Sequence, residues 1–208
     1  MSTQTKQRLG SLLSILSVAI ILLAQIITEF SWINPRYNPI LNWVSDLGVP
    51  VVTTYGTHLI NSPLYFVMNT GFILGGLIYF VGFLLRKSTV PRTKTYQVAP
   101  ITYTIGLLLI GIFPGYDWAL HMFHPLGALV FLLSGDLLAI SFGRIQLKSN
   151  QALGRTSIAL GVISLIVIPV MFTFSTSGFE GLIERVAIYP VFIAIVIRHI
   201  HELRAKKS

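Results

Sequence analysis

The chain has 208 residues, 53% of them hydrophobic and 11% charged, with a formal net charge of +8 and no cysteine. So low a charge fraction excludes an ordinary soluble domain. The missing cysteines exclude disulfides, thiolate catalysis and zinc–thiolate sites, so any metal would need His, Asp or Glu ligands.

Six long apolar runs fill nearly the whole chain, and about 20 helical residues suffice to cross a hydrocarbon core. The expected fold is all-α, a six-span transmembrane helical bundle forming one integral membrane domain over residues 1–208. Span one covers about 12–28, with Gln25 and Glu29 at its far end. Lys6 and Arg8 before it imitate a signal peptide. The run is too long for a signal core, however, and ends in ITEFSW without a small-residue cleavage site, so it is read as retained. Span two, about 63–85, carries Gly71, Gly75 and Gly76, small residues that let membrane helices approach closely. Span three is short, about 98–113, and ends at Pro114-Gly115. Spans four, five and six cover about 121–142, 157–174 and 181–197, with Pro169 an expected kink and Pro190 inside the last.

The basic residues assign an orientation. Thirteen of fifteen fall on one side: Lys6, Arg8, Arg86, Lys87, Arg92, Lys94, Arg144, Lys148, Arg155, Arg198, Arg204, Lys206 and Lys207. Only Arg36 and Arg185 fall on the other. The positive-inside rule then places both termini in the cytoplasm, in agreement with an even span count. Asp46, His58, Asp117, His121 and His124 are thereby gathered outside, with Glu29, Glu180, Glu184 and Arg185 near the outer ends of their spans. The longest connection, residues 31–61, lies on that side. Its Trp32 and Trp43 suit a membrane interface, and its mixed polarity suggests a segment lying on the membrane.

Several groups there could carry chemistry. Asp117, His121 and His124 are spaced by four and three residues, which puts them on one face of a continuous helix. They can hold a metal ion, zinc by ligand type, or a proton. The bland alternative is hydrogen bonding at a helix start, with Pro125 opening the span. In Ser45-Asp46-Leu47-Gly48, Asp46 either caps a turn, with Gly48 at positive φ, or faces His121 or His124 as ligand or proton acceptor. Ser45, Asp46, His121 and His124 match, in residue type alone, the sets used by membrane enzymes that hydrolyse lipids. Glu184-Arg185 either locks span six to Glu29 or Asp46, or binds a substrate headgroup, since guanidinium suits a phosphate or carboxylate. Asp136 lies roughly 22 Å along a helix from His121, too far to share one small site. It is expected to pair with Ser134, Asn69 or Arg144 or to stay protonated, and a proton relay is the functional alternative. His199 and His201 are read as interfacial residues of a basic tail.

The runs YNPILNWVSDLG, NSPLYFVMNTGFILGG, GIFPGYDWALHMFHPLGALVFL and GLIERVAIYP resemble, in order and across the whole chain, a family of small bacterial and archaeal membrane proteins known as domain of unknown function 998. The resemblance rests on Ser45 to Gly48, on Phe113-Pro114 followed by His121, and on Glu184-Arg185. It implies a compact helical bundle with polar motifs on its outer face, and no established chemistry.

The leading expectation is a multi-pass protein of the cell membrane that binds or hydrolyses a lipid or other amphiphile in an outward-facing pocket under the 31–61 loop. As a hydrolase it would use His121, His124 and Asp117 to hold zinc, with Asp46 and His121 catalytic and Ser45, Glu184 and Arg185 on the substrate. One competing class is non-catalytic, a membrane-integrity or sensor protein whose charges only fix the bundle. Another is a small-solute transporter, resting on Asp136 and Gln25. Membrane lipids are the expected partners and nucleic acid is not. A homo-oligomer is left open.

Overall fold

The computed structural model describes residues 1–55, 58–116, 120, 122–174 and 177–204. The chain forms the expected all-α bundle, with α1 at Thr3–Ser31, α2 at Tyr65–Arg86, α3 at Lys94–Ile112, α4 at Phe123–Gln146, α5 at Gln151–Thr173 and α6 at Glu180–Arg204. Among the described residues, α1 to α5 are long and apolar enough to cross a membrane. In α6 the apolar run is interrupted by Glu184, Arg185 and Arg198, all three buried against the other helices. Local signals set two helix starts: Ser2 Oγ accepts from Thr5 N–H at 3.1 Å, and Asn150 Oδ1 accepts from Leu153 N–H at 3.0 Å.

Helices adjacent in sequence pack against one another, and α6 closes the bundle against α1, α4 and α5. In lipid, apolar surface gives little drive for helix association, so close approach and interhelical hydrogen bonds carry it. The α1–α2 seam uses both. A methyl group on Gly71 would collide with Ala24, and one on Gly75 would meet Ile21 Cγ1 at 2.5 Å. Ser17 Oγ crosses the same seam to donate to Gly75 O at 2.7 Å. Ser157 and Ser164 make equivalent bonds from α5, to Ala139 O at 2.9 Å and Ala187 O at 2.7 Å. A column of rings ties four helices together: Tyr79 to Tyr103 at 4.5 Å, Tyr103 to Phe131 at 5.0 Å, and Phe131 to Phe192 at 5.9 Å.

The α1–α2 connection is a folded cap. It contains a 3-10 turn at Ser45–Gly48 and a two-stranded antiparallel hairpin, β1 at Thr53–Tyr55 and β2 at His58–Ile60. Thr53 pairs with Ile60, Thr54 with Leu59, and Tyr55 with His58. Its Trp32, Tyr37, Val44, Leu47, Val49 and Ile60 are buried in the main core. The connection is thus packed against the helix ends, and one expectation for it is corrected. Trp32 is 1% exposed and sits 5.2 Å from the Tyr37 ring, so it is a core residue rather than an interfacial one. The cause is local. The chain turns back directly after α1, with Tyr37 N–H donating to Trp32 O at 3.1 Å, which carries both rings over the helix ends.

Gly48 is a second correction. Among the described residues the only positive φ belongs to Gly178. Gly48 is needed instead for close approach: a methyl group there would strike Asn69 Oδ1, while Asn69 Nδ2 donates to Gly48 O at 2.8 Å.

Candidate functional site

Arg185 fastens the cap to the bundle. Its Nη1 donates to Pro39 O at 2.9 Å, Asn42 O at 3.2 Å and Gly181 O at 3.0 Å. Its Nη2 donates to Glu29 Oε1 at 2.7 Å and Tyr37 Oη at 2.7 Å. Glu29, rather than Asp46, is thus the acid that pairs with it. Gln25 Nε2 joins the group, donating to Glu29 Oε1 and Tyr189 Oη, each at 2.8 Å. Burial raises the Tyr37 phenol far above its usual range, against the opposing pull of the Arg185 cation. Tyr37 then stays a donor, to Trp43 O at 3.1 Å. A guanidinium with this many protein partners is a lock between α1, α6 and the cap.

A cavity of about 490 Å³ opens beside this lock. Val49, Ile60, Ala128, Met171 and Phe172 form its apolar walls, and Phe172 at the rim is 49% exposed. Its polar end is built by Ser45, Asp46, His124 and Glu184. Asp46 is 5% exposed. Its Oδ2 accepts from Trp43 N–H at 2.9 Å, a turn-capping bond, and lies 3.2 Å from His58 Nε2. That bond to Asp46 raises the His58 pKa above the ordinary imidazole value, against the opposing effect of burial. Glu184 Oε2 accepts from Val44 N–H, which ties α6 to the start of the 3-10 turn. His124 Nδ1 lies 2.9 Å from Phe113 O. A carbonyl only accepts, so Nδ1 carries the proton and Nε2 keeps its lone pair.

The cavity therefore joins four of the residues singled out from sequence, Ser45, Asp46, His124 and Glu184, while Arg185 is spent on the lock beside it. Asp117 and His121 lie outside the described residues. Among the described residues, no three His, Asp or Glu side chains come together as a metal set. Asp136 does not line the cavity. It is 1% exposed, and neither carboxyl oxygen has a hydrogen bond among the described residues, so neither expected neutral partner reaches it. Ser134 bonds to Thr102 Oγ1 at 2.7 Å and Val130 O at 2.6 Å, and Asn69 is held by Gly48. An ion pair to Arg144 is likewise not formed among the described residues.

A second charged cluster, missed in the sequence, sits at the opposite end of the bundle. Glu202 Oε1 accepts from Arg198 Nε at 3.0 Å. Its Oε2 accepts from Ser11 Oγ at 2.9 Å and lies 3.5 Å from Arg86 Nη1 and 3.0 Å from His199 Nδ1. His199 is fully buried, which corrects its reading as an interfacial residue of the tail. Arg86 and Arg198, which look like loop and tail charges in the sequence, are 2% and 6% exposed. One signal points to the cluster: Glu202 is the only acid in a tail otherwise basic, so several cations compete for it.

No curated protein and no solved structure matches this chain. A family model described as "Protein of unknown function (DUF998)" matches residues 15–200, nearly the full length. With its apolar helices, the chain is a multi-pass membrane protein and belongs to that family.

Proposed function

We propose that the protein lies in the cell membrane with the cap facing outward, and that its cavity takes up the apolar chain of a membrane lipid or other amphiphile. The observation that carries this reading is the cavity itself. About 490 Å³ of space has hydrophobic walls, an exposed phenylalanine at its rim and carboxyl and imidazole groups at one end. A few convergent polar groups in an otherwise apolar concavity are the usual make-up of a small-molecule site. The outward orientation is supported by the basic residues of the α2–α3 and α4–α5 connections, at the end away from the cap.

Trp43 lines the cavity and supplies a readout. In lipid nanodiscs, a twelve-carbon alcohol bearing bromine on its chain should quench tryptophan fluorescence saturably. The saturable part should vanish in Trp43→Phe. It should weaken about tenfold or more in Ala128→Phe, which narrows the wall. Quenching that is linear and identical in all three proteins would overturn the reading.

A second reading, hydrolysis of that amphiphile with zinc, has one observation in its favour. His124 donates its Nδ1 proton to a backbone carbonyl and leaves Nε2 for a ligand, as metal-binding histidines do. Near-stoichiometric zinc in protein purified without chelators, lost in His124→Ala while the fold persists, would support it. Absence of metal from the wild type would remove it.

A further inference from the structure

The cavity's polar end is acidic. It presents Asp46 and Glu184, and no lysine or arginine is among its described lining residues. Of the nearby basic groups, Arg185 is held by Glu29 and by Tyr37, and His58 meets Asp46 through Oδ2. Asp46 uses Oδ2 for both Trp43 and His58. No hydrogen bond to Oδ1 is formed among the described residues, and Oδ1 is not one of the buried unpartnered atoms, so it keeps accessible surface. A carboxylate oxygen left open at the end of an apolar cavity favours a donor or a cation, and repels a second anion strongly where water is scarce. Trp43, Tyr116 and Phe172 supply aromatic faces in the same lining, and aromatic faces attract ammonium groups.

From this arrangement we infer that the cavity selects an amphiphile whose polar end is a cationic ammonium group, with Asp46 Oδ1 as its principal contact and Glu184 as a second acidic neighbour. The inference rests on the proposed uptake of an amphiphile and adds the chemistry of its headgroup. It turns away from the phosphate or carboxylate headgroup that Arg185 suggests in the sequence. The ammonium can belong to a free amphiphilic amine or to an ethanolamine-type lipid headgroup, and the two differ in the phosphate that the lipid also carries.

The test uses the same fluorescence assay and one brominated twelve-carbon chain with four ends: trimethylammonium, hydroxyl, phosphate, and phosphoethanolamine. The ammonium should bind at least about tenfold more tightly than the alcohol, and the phosphate more weakly than the alcohol. Asp46→Asn keeps an acceptor for Trp43 N–H, and it should bring the ammonium affinity down to that of the alcohol. Equal binding of the phosphoethanolamine and the simple ammonium would identify a lipid headgroup as sufficient, and binding of the simple ammonium alone would identify a free amine. Should the alcohol bind saturably with no gain for ammonium, the headgroup inference fails and uptake of an amphiphile stands. Should none of the four bind saturably, uptake itself fails. The headgroup ranking on the wild type decides the matter even if Asp46→Asn does not fold.

Discussion

The two ends of the bundle each bury a cluster of charges, but they use them differently. At the end away from the cap, one carboxylate, Glu202, gathers Arg86, Arg198, His199 and Ser11. The Arg198 guanidinium is also covered by the Tyr96 ring at 4.9 Å and the Phe142 ring at 5.7 Å. Both oxygens of Glu202 are occupied, and the cluster does not line the cavity under the cap. At the cap end the work is divided. Arg185 and Glu29 make the lock, while Asp46 and Glu184 line a cavity. Buried charge alone therefore does not mark a site. The distinction is whether an acidic oxygen is left over and whether space adjoins it.

That contrast predicts a large loss of stability at the closed cluster. Glu202→Ala leaves two buried guanidinium groups without their shared carboxylate, and breaking a buried pair from one side costs about 3–5 kcal/mol. Thermal unfolding in detergent should shift more than for any substitution at the cap, with quenching by the brominated amphiphiles unchanged in whatever protein folds. A variant as stable as wild type would mean that the cluster does not hold the helix ends together.

The cap lock ranks next. Arg185→Lys keeps the charge but cannot span Glu29, Tyr37 and three carbonyls at once, because an ammonium lacks the planar fork. A loss of about 3 kcal/mol is expected, from charge-assisted hydrogen bonds worth about 1.5–3 kcal/mol each, partly remade by lysine. Since the cap forms one wall of the cavity, limited proteolysis within residues 33–61 should accelerate in parallel. Unchanged proteolysis would show that the cap is held by its apolar contacts alone.

The bundle is largely legible in the sequence because hydropathy adds up residue by residue and needs no knowledge of partners. The glycine seam is legible for a similar reason: Gly71 and Gly75 lie four apart, on one face of one helix. The partner of Arg185 narrows to Glu29 or Asp46, acids at the outer end of span one and in the loop that follows it. What escapes the sequence depends on which ends meet in space. Trp32 looks interfacial by type and position, yet the turn after α1 buries it. Gly48 looks like a turn glycine, yet its neighbour is Asn69, 21 residues away. Glu202 and Arg86 are 116 residues apart and meet only because α2 and α6 end together. Asp117 and His121, two of the three expected zinc ligands, lie outside the described residues, so the zinc reading stays a matter for elemental analysis.

The Gly48–Asn69 contact gives a smaller and sharper test. Gly48→Ala should push the Asn69 amide aside and cost about 1 kcal/mol, the worth of the lost hydrogen bond. Asn69→Ala alone should cost a similar amount. The double variant should cost much less than the sum, because once Asn69 is gone the added methyl meets nothing polar. Simple additivity would mean that Gly48 is required for its backbone conformation after all.

The smallest effect concerns pH, and it probes the open side of the comparison. The Asp46 bond raises the folded-state pKa of His58. A raised pKa means that the folded state binds this proton more tightly than the unfolded state does, so the stabilisation is complete below the unfolded imidazole value of about 6.5. It is lost as pH rises through the folded value. The stability difference between wild type and His58→Gln should therefore shrink as pH is raised from acidic to alkaline. Asp46→Asn should flatten that dependence, since it removes the carboxylate that holds the proton. The same titration reaches the cavity. Protonated His58 already neutralises part of the Asp46 charge, so an ammonium amphiphile gains more from Asp46 once His58 has lost its proton. Stability and ammonium affinity should then move in opposite directions with pH. If both rose or both fell together, His58 and the ligand would not be sharing one carboxylate.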